Sequence, residues 1–371
     1  MHELLRLRPS VAMVPGNRDA DRCQVDFFLG NTRRSLRFVL KDDIFSLLKN
    51  MDGKRSIGDL ARNIGRSDTE AIKLETQAKI LCERLVDACV LEPVSIAEKI
   101  AHHHHRRVLS FLQDYFPGPL VFTAWERLRK AKVMVLGVGG AGSWVVNLLA
   151  RSGIGTLLIS DPDRVELSNL NRSLFSSADV GKLKVDALAN HLRTIDSELI
   201  VHSTEKAVYS AEDFESLISG SVMDCIPDLV INCADYPSID ETSSIINKAC
   251  ITRGIPFIIG GGYNLHVSLI GPTIIPRETA CFTCIQVGLQ ELQKAEFGNL
   301  RKLTRKDRKI GSCGPMVGIA ATYTVHEGIR TILRGERIHP LMTNRRAELN
   351  FLTGGTHQVS FHRRTDCPHC F

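Results

Sequence analysis

The stretch VMVLGVGGAG, residues 133–142, is the part of the sequence that decides the fold. Four apolar residues that can form a buried strand run directly into the motif Gly-x-Gly-x-x-Gly, and a helical pattern begins at Ser143. In this order, glycines allow backbone N–H groups at a helix N-terminus to approach a phosphate group. We therefore predict a phosphate-binding loop formed by Gly137, Gly139, Gly140 and Gly142. The motif alone is also found in nicotinamide-dependent dehydrogenases, which are the main alternative at this point.

Polar residues downstream of the loop separate these two alternatives. The predicted strand 156–160 ends at Asp161, where a carboxylate can accept hydrogen bonds from ribose hydroxyl groups. Beyond it stand Asn169, Arg172 and Lys184, which hydride transfer does not need. Attack of a carboxylate on the α-phosphorus of ATP spreads negative charge over phosphate oxygens, so that catalysis depends on cations placed around that charge. Arg172 and Lys184 therefore favour carboxylate adenylation.

Asp235 is the candidate magnesium ligand. It follows the predicted strand 229–233 and so lies at the carboxyl edge of the sheet, where open α/β sheets bind ligands. Taken singly, Arg172, Lys184 or Asp235 could be an ordinary surface residue. Only their combination with the glycine loop supports a site.

Buried strands alternate with helical stretches from residue 133 onward. Near-continuous apolar strands separated by helices are typical of a parallel sheet covered on both faces. We therefore predict an α/β fold, with a Rossmann-like, mostly parallel sheet and helices on both faces. The predicted strands are 133–136, 156–160, 199–202, 229–233 and 257–260, and the clearest helices are 143–152, 182–193 and 238–253.

The N-terminal residues show a different pattern. Three β-rich runs are separated by Pro-Gly-Asn and Gly-Asn turns, which predicts a small antiparallel sheet. Helical runs with aspartate or serine caps follow, so residues 1–95 are predicted to form a winged-helix-like α+β domain. The predicted strands are 10–14, 23–29 and 35–40, and the predicted helices are 44–49, 57–64 and a longer one from residue 68.

A His-rich, basic stretch ends the helical periodicity of this first domain. We therefore predict a linker at residues 96–107, followed by a larger adenylation domain at residues 108–371. The histidines His102 to His105 are few and lie inside the chain, so a loop is favoured over a metal site.

The cysteines are informative through their spacing. Two Cys-x-x-Cys pairs, Cys281/Cys284 and Cys367/Cys370, lie far apart in the sequence, as a tetrahedral structural zinc site requires when it fixes a chain end to a domain. The isolated cysteines stand mostly in apolar surroundings, which favours small core residues. Cys313 could be a nucleophile that accepts an acyl group from AMP, but a packed turn cysteine is favoured because no histidine stands beside it.

Composition narrows the function classes. The chain has 371 residues, 43% of them hydrophobic, and no apolar run approaches the roughly 18 to 20 residues that cross a bilayer. We expect a cytoplasmic protein of two domains with no membrane contact. The net charge is +6, and the cations are scattered apart from a cluster near residues 301–309. This favours an acidic ligand, such as a nucleotide or an acidic peptide, over nucleic acid, because a nucleic-acid groove needs a longer basic stripe with interleaved aromatic residues.

The motifs together resemble the ThiF/MoeB/HesA superfamily, the bacterial relatives of ubiquitin-activating enzymes. The resemblance extends from about Arg107 to the C-terminus. It implies an enzyme that uses ATP and Mg²⁺ to adenylate a carboxylate, and a structural Zn²⁺. The residues that carry it are the glycine loop, Asp161, Ser168 to Arg172, Val180 and Gly181 with Lys184, Cys233 to Asp235, and the two cysteine pairs. The implied roles are ribose binding by Asp161, phosphate contacts from Asn169, Arg172 and Lys184, and Mg²⁺ binding by Asp235.

The resemblance also implies a homodimer in which an arginine ahead of the first strand reaches the ATP of the partner subunit. Arg107 matches that position, and Arg106 is the alternative. The interval after Arg172 is one residue shorter than in the family, so Lys182 is the alternative to Lys184.

The first domain resembles the PqqD-like domains that bind leader peptides, by its element order and by the stretch Asp52 to Ser56. Such domains usually add the peptide as a strand to a sheet edge. The combination implies adenylation of a ribosomally made precursor peptide in antibiotic maturation. A basic protein suits an acidic peptide, which favours glutamate side-chain activation and cyclisation of the pantocin type over activation of a C-terminal asparagine of the microcin C type.

Two further alternatives remain at this point. Activation of a ubiquitin-like sulfur carrier is disfavoured, because the thiol-bearing loop of such activators is not recognisable between Cys284 and Pro315. A binding protein without catalysis gains little support, since Asp161, Arg172 and Lys184 are all present.

Overall fold

The computed structural model describes residues 3–219, 226–260, 262–264, 266–298 and 311–370. The chain divides into two compact units, Met1–Glu126 and Arg127–Phe371. Cys225 and the basic cluster at 301–309 lie outside the described residues. Among the described helices, none is both long and apolar enough to span a membrane.

The first unit contains a three-stranded antiparallel sheet followed by helices. In chain order its elements are β1 (Leu5–Leu7), β2 (Val11–Asp19), β3 (Arg22–Leu29), β4 (Arg34–Lys41), α1 (Asp42–Lys49), α2 (Ile57–Ile64), α3 (Asp68–Asp87), β5 (Leu91–Pro93), α4 (Val94–His102) and α5 (Arg106–Leu112). The sheet has the order β2-β3-β4, and β1 pairs with β5. The three predicted strands and three predicted helices are present in this unit.

Local chemistry explains these elements. Strand β3 alternates buried Cys23, Val25 and Phe27 with more exposed residues, which is the period of a half-buried strand. Helix α2 begins at a capping box, in which the Ser56 hydroxyl accepts a hydrogen bond from the backbone of Asp59. Helix α3 begins after Ser67, whose hydroxyl accepts a hydrogen bond from the N–H of Glu70.

The predicted linker at 96–107 differs from the structure. Residues 94–102 form α4, and only a short connection at 103–105 separates it from α5. The helix forms because Ile96, Ala97 and Ile100 bury one apolar face.

The first unit also extends beyond the predicted boundary. The division lies between Glu126 and Arg127, inside the next helix, α6 (Leu120–Lys130). Arg8 is buried, and its guanidinium lies 2.9 Å from a carboxylate oxygen of Asp114. The residues after α5 are therefore tied to the start of the chain.

The second unit is built on a six-stranded sheet. After α6 its elements are β6 (Lys132–Leu136), α7 (Gly140–Arg151), β7 (Thr156–Ser160), α8 (Lys184–Ile195), β8 (Ile200–Thr204), α9 (Ala211–Ile218), β9 (Leu229–Asn232), α10 (Ile239–Arg253), β10 (Phe257–Ile259), β11 (Tyr263–Asn264), β12 (Val267–Ile270), β13 (Thr273–Ile274), α11 (Phe282–Phe297), α12 (Gly314–Ile332), β14 (Arg345–Asn350) and β15 (Thr356–Ser360). The sheet has the order β13-β10-β9-β6-β7-β8, and only β13 is antiparallel. The predicted α/β fold class is confirmed.

This strand order places the candidate site. The chain starts in the middle of the sheet at β6, proceeds outward through β7 and β8, and then returns to β9 on the other side of β6. The carboxyl ends of β6 and β9 therefore flank the point where the strand order reverses, and doubly wound sheets bind their ligands at this point.

A second sheet, with the order β11-β12-β14-β15, was not predicted. Its strands pair antiparallel across a long interval of chain, for example Val267 with Asn350. The hairpin of β14 and β15 leads into the C-terminal cysteine pair.

Candidate functional site

The loop after β6 has room only for glycine at two of its positions. Gly137 has a φ of 76°, and a Cβ atom there would lie 2.7 Å from the backbone of Ala234. A Cβ at Gly142 would lie 1.9 Å from the carbonyl oxygen of Gly137. The loop is therefore held against the start of α7 and against the exit of β9, with Gly139 as the residue that caps the helix.

Asp161, at the end of β7, fixes this loop from the side. Its carboxylate accepts hydrogen bonds from the N–H of Val138 at 2.8 Å and from the N–H of Asp163 at 2.9 Å. The residue is buried, and burial raises the pKa of its carboxyl above the usual range, opposed by the ammonium group of Lys184. Asp161, the predicted ribose-binding residue, therefore lies at the edge of the glycine loop, and its hydrogen bond to the N–H of Val138 also orients this loop.

Lys184 is the lysine that the structure brings to the loop. It begins α8, is buried, and its Nζ lies 2.7 Å from Asp163 Oδ2 and 3.7 Å from Asp161 Oδ1. The same Nζ is 4.0 Å from the position that a Cβ of Gly139 would take. Lys182 is instead 55% exposed and ion-paired with Asp179, so the geometry favours Lys184.

Arg172 covers the other side of the loop. Its side-chain carbons lie 3.4 Å from the position that a Cβ of Gly140 would take. Its Nη1 donates to the carbonyl of Ser168 at 2.7 Å and to Asn171 Oδ1 at 3.1 Å. The indole N–H of Trp144 donates to the Arg172 carbonyl, which fixes the backbone at this point. The guanidinium is therefore held beside the glycine loop.

Asn169 organises the segment that carries Arg172. Its side-chain oxygen accepts a hydrogen bond from the N–H of Glu166 at 3.0 Å, which closes a single 3₁₀ turn. Its carbonyl accepts from the N–H groups of Arg172 and Ser173. Phosphate contact by Asn169 stays a prediction. The hydrogen bonds in the structure show that Asn169 stabilises the backbone of the segment that carries Arg172.

Asp235 follows β9 and is exposed. The turn that presents it is held by the buried Asn232, whose side chain donates to Thr242 and accepts from the N–H of Ala234. Burial, together with the charge of Asp235, raises the pKa of the Cys233 thiol to about 12. Asp235 thus lies at the carboxyl edge of the strand beside β6, where an oxygen ligand can meet Mg²⁺ held by phosphates.

Asp163 is a site residue that the sequence prediction missed. It is the ion-pair partner of Lys184 described above, and its own carbonyl accepts the backbone N–H of Lys184 at 2.9 Å. The signal was available, because Asp163 stands two residues after Asp161 in an Asp-x-Asp sequence.

The predicted trans arginine lies in the first unit. Arg106 and Arg107 open α5, and both are exposed. The connection before them contains three histidines whose rings lie against one another, with 4.0 Å between the ring centroids of His104 and His105. The rings of His103 and His105 also contact Trp125. His103, His104 and His105 lie in this loop as predicted, whereas His102 is the last residue of α4. None of the four belongs to the metal-ligand group found among the described residues.

The four paired cysteines converge in the second unit. Their sulfur atoms all lie within 4.8 Å of one another, and all four residues are buried. The sulfurs of Cys281 and Cys367 are 3.5 Å apart, those of Cys284 and Cys370 are 3.5 Å apart, and those of Cys281 and Cys284 are 3.9 Å apart. A tetrahedron with Zn–S bonds of about 2.3 Å has sulfurs about 3.8 Å apart, so this set fits a structural Zn²⁺.

The isolated cysteines among the described residues differ in burial, and Cys233 is half-buried. Cys23, Cys82, Cys89 and Cys250 are buried, as predicted for small core residues. The prediction of a packed turn is wrong for Cys313, which is exposed and precedes the first residue of α12 without a side-chain capping hydrogen bond.

Comparison with known proteins identifies the family. The sequence profile of the ThiF family matches residues 119–369, which is more than half of the chain. This protein belongs to the ThiF family. The predicted class of an ATP-dependent adenylating enzyme is confirmed by this membership, and the nicotinamide-dependent alternative is set aside.

Curated relatives are similar over part of their length. Ubiquitin-like modifier-activating enzyme 5 of Drosophila mojavensis is 29% identical over 283 residues, 75% of this chain and 66% of the relative. The protein of the same name from Oryza sativa subsp. japonica is 30% identical over 224 residues, 59% of this chain and 52% of the relative. The chain thus spans about half to two thirds of the length of the curated relatives it matches.

Solved structures are similar over nearly the whole chain. MccB of E. coli, in a structure with ATP, aligns with a TM-score of 0.71 and 22% identity over 99% of both chains. MccB in complex with N-formylated MccA gives a TM-score of 0.73 and 21% identity over 99% of both chains. PaaA gives 0.67 and 22% identity, over 96% of this chain and 100% of PaaA. These likenesses establish that both units share the MccB fold.

Proposed function

We propose that this member of the ThiF family adenylates a carboxylate of a ribosomally made precursor peptide during the maturation of a peptide antibiotic. The observation that carries the proposal is the pair of cations, Arg172 and Lys184, on either side of the glycine loop. The whole-chain likeness to MccB, which was solved with the peptide MccA, supports a peptide as the substrate.

The reaction follows from the charges at the loop. A carboxylate oxygen of the peptide attacks the α-phosphorus, the new P–O bond forms the acyl adenylate, and pyrophosphate leaves with the electrons of the broken bond. Negative charge grows on the phosphate oxygens during this step. N–H groups of the glycine loop, the Arg172 guanidinium and the Lys184 ammonium stabilise that charge because they are fixed before the reaction.

Three carboxylates have distinct roles in this proposal. Asp161 accepts hydrogen bonds from the ribose, and Asp163 holds the ammonium of Lys184 in place. Asp235 would hold Mg²⁺, which neutralises phosphate charge when it is bound.

The first unit offers a sheet edge for peptide binding. Strand β4 pairs only with β3 among the described strands, so its outer edge is open to an added strand. Arg34, Arg37 and Lys41 lie on this strand and are exposed, while Arg37 also pairs with Asp26. A basic edge supports an acidic peptide.

The net charge of +6 further favours an acidic peptide, and we propose that a glutamate side chain is activated and then cyclised, as in pantocin-type maturation. The competing choice is a C-terminal asparagine that ends joined to AMP, as in microcin C-type maturation. Pyrophosphate exchange with three synthetic substrates separates the possibilities: a peptide with adjacent internal glutamates, a peptide that ends in asparagine, and a carrier that ends in Gly-Gly. Exchange that depends on the asparagine peptide alone would contradict the glutamate proposal.

The catalytic assignment is tested in the same assay with matched lysine variants. We expect Lys184→Ala to lower the exchange rate by about 10²- to 10³-fold, the cost of removing one fixed group that stabilises transition-state charge. Lys182→Ala should stay within a factor of about two or three, because this side chain is exposed and forms a surface ion pair with Asp179. Equal losses in both variants would contradict the role of Lys184.

Activation of a ubiquitin-like carrier is a second candidate. It is favoured by the names of the curated relatives and by the exposed thiol of Cys313 at the start of α12. A thiolate there could accept an acyl group from the adenylate. Full exchange and full product formation by Cys313→Ala would exclude a thioester at this residue.

We also propose a homodimer in which Arg107 acts on the partner's site. Co-expression of an Arg107→Ala chain with an Asp235→Ala chain tests this directly. Each variant alone should be inactive, whereas a mixed dimer would have one complete site if the arginine acts in trans. Absence of any activity in the purified mixed dimer would contradict the proposal.

A further inference from the structure

The first unit contains a cavity that lies apart from the sheet β2-β3-β4. Its volume is about 500 Å³, which is within the range of small-molecule sites. All of its lining residues lie between Glu3 and Leu120, and none of them belongs to β2, β3 or β4. The cavity is therefore distinct from the open edge of β4 at which we place the peptide.

Apolar groups form most of the wall of this cavity. Leu5 of β1, Ile57 of α2 and Val86 of α3 line it, and so does Leu120, which is 44% exposed. The turn before Leu120 faces α3, because the Val86 side chain lies 3.9 Å from the position that a Cβ of Gly118 would take. An apolar ligand enclosed between these elements would leave water, which is favourable.

The charged residues of the wall are mainly acidic. Glu3, Glu83 and Asp87 contribute carboxylates, and Lys79 is the single cation among the lining residues. The ammonium group of Lys79 lies 2.7 Å from a carboxylate oxygen of Glu75, so its charge is already balanced. Glu83 has no ion pair in the part of the chain that the structure describes. The charge of the wall therefore favours a cation.

Cys82 adds a buried polar group to the same wall. It is 1% exposed, and its thiol has no hydrogen-bond partner among the described residues. Burial, together with the charge of Glu83, raises the pKa of this thiol to about 12. The thiol therefore stays protonated at neutral pH, and it can donate a weak hydrogen bond to a ligand.

The backbone of the wall favours a small molecule over a peptide strand. A strand that adds to a protein needs backbone N–H and C=O groups along an open edge. Three lining residues, Pro93, Pro117 and Pro119, have no N–H group to offer. Recognition in this cavity therefore depends on side chains and on the shape of the apolar wall.

We propose that this cavity binds a small amphipathic amine, with its apolar body against the wall and its ammonium group beside Glu83. Burial of the apolar body provides the affinity, and the carboxylates select a cation over an anion of the same shape. This preference is local, because the chain as a whole carries a net charge of +6. The site does not depend on the adenylation chemistry proposed above.

Calorimetric titration of the full-length protein with decylammonium and with decanoate tests the charge preference, because the two probes have the same chain length and opposite charge. We expect decylammonium to bind at least about tenfold more tightly at low salt. Glu83→Gln should weaken decylammonium by about fivefold, the upper range for one exposed ion pair, without weakening decanoate. Glu98→Gln is the matched control, since Glu98 is an exposed glutamate on α4 outside the cavity.

Val86→Phe tests the position of the site, because the larger ring would occupy the cavity. It should weaken decylammonium by at least about tenfold. Ile80→Phe is the control, since Ile80 is also on α3, is 53% exposed and does not line the cavity. If Val86→Phe does not fold, Glu83→Gln decides the question, because its side chain is exposed.

Three results would overturn the proposal. The first is equal affinity of the wild type for the two probes, or no binding of either. The second is an affinity for decylammonium that is the same in the wild type and in Glu83→Gln. The third is loss of a dimer in Leu120→Glu, measured by light scattering, which would show that a second copy of the chain covers the cavity.

Discussion

At the scale of single residues, the glycine loop shows how little space the site leaves. Gly142 is in van der Waals conflict with any side chain, since its Cβ would overlap the carbonyl of Gly137. Gly318, in the middle of α12, has no atom within 4 Å of its Cβ position. The same substitution therefore has opposite consequences at these two positions.

We expect Gly142→Ala to lower the free energy of unfolding by about 1 to 3 kcal/mol, the usual cost of overpacking, and to weaken ATP binding. Gly318→Ala should raise the free energy of unfolding by about 0.5 to 1 kcal/mol, because alanine has a higher helix propensity than glycine. Urea denaturation of both variants measures the difference. A stable, ATP-binding Gly142→Ala protein would contradict the geometry of the loop.

The raised pKa of Asp161 makes its contribution to the free energy of unfolding depend on pH. Its folded-state pKa is raised by burial, so its contribution to stability is full below the unfolded pKa of 3.8 and is lost as the pH rises through the folded value. We expect wild type to lose stability relative to Asp161→Asn as the pH increases through this acidic window. Unfolding free energies of both proteins, measured from pH 3 to pH 7, provide the slope. A difference that does not vary with pH would contradict the raised pKa.

At the scale of elements, the prediction from sequence succeeded where periodicity is local. Strands β6, β7 and β9 were predicted because each contains a short apolar run, and that run is buried in each of them. The sheet β11-β12-β14-β15 was missed, because its pairings join distant residues and its strands are short. Helix α4 was not predicted, because the His-rich stretch at its end was interpreted as a linker and the apolar spacing of Ile96, Ala97 and Ile100 was not used.

Some residues of the candidate site were likewise predicted from the sequence, and others were not. Arg172 and Lys184 were predicted because they are cations downstream of the glycine loop that match the family motif, with Lys182 as the alternative to Lys184. The structure places Arg172 and Lys184 at the glycine loop. Asp163 was not predicted, although it stands two residues after Asp161, because the sequence does not show that its carboxylate pairs with Lys184.

The zinc site ties helix α11 to the C-terminal residues. We expect one Zn²⁺ per chain, and loss of that metal in Cys284→Ser and Cys367→Ser with a lower melting temperature, because thiolate ligands supply the binding energy. Cys313→Ser is the matched control and should keep the metal, as its thiol is exposed and outside the group. Elemental analysis and thermal melts give both readouts. Full zinc content in Cys284→Ser would contradict the four-cysteine site.

At the scale of the whole molecule, the chain consists of two units whose division lies later than the sequence predicted. The functional boundary at residue 107 stays a prediction, but the packing continues to Glu126. Arg8 shows the reason, because its buried guanidinium bonds to Asp114 and to the carbonyl groups of Cys89 and Gln113.

Fragments of the first unit test this division. A fragment of residues 1–130 keeps α6 complete and keeps Asp114, whereas a fragment of residues 1–107 loses it. We expect the shorter fragment to be less stable by about 3 to 5 kcal/mol, the cost of leaving one buried charge unpaired. Thermal melts of both fragments measure this, with Arg8→Met in the longer one as the control for the charge. Equal stability of the two fragments would place the boundary at residue 107 after all.

The four-cysteine zinc site makes the stability of the C-terminal residues depend on the supply of zinc. Because Cys281 and Cys367 are 86 positions apart, one bound ion closes a loop that contains α12 and the β14–β15 hairpin. In cells with too little zinc, the C-terminal residues would not be held by the metal and would be accessible to proteases. The amount of folded enzyme would then follow the metal supply even when transcription is unchanged.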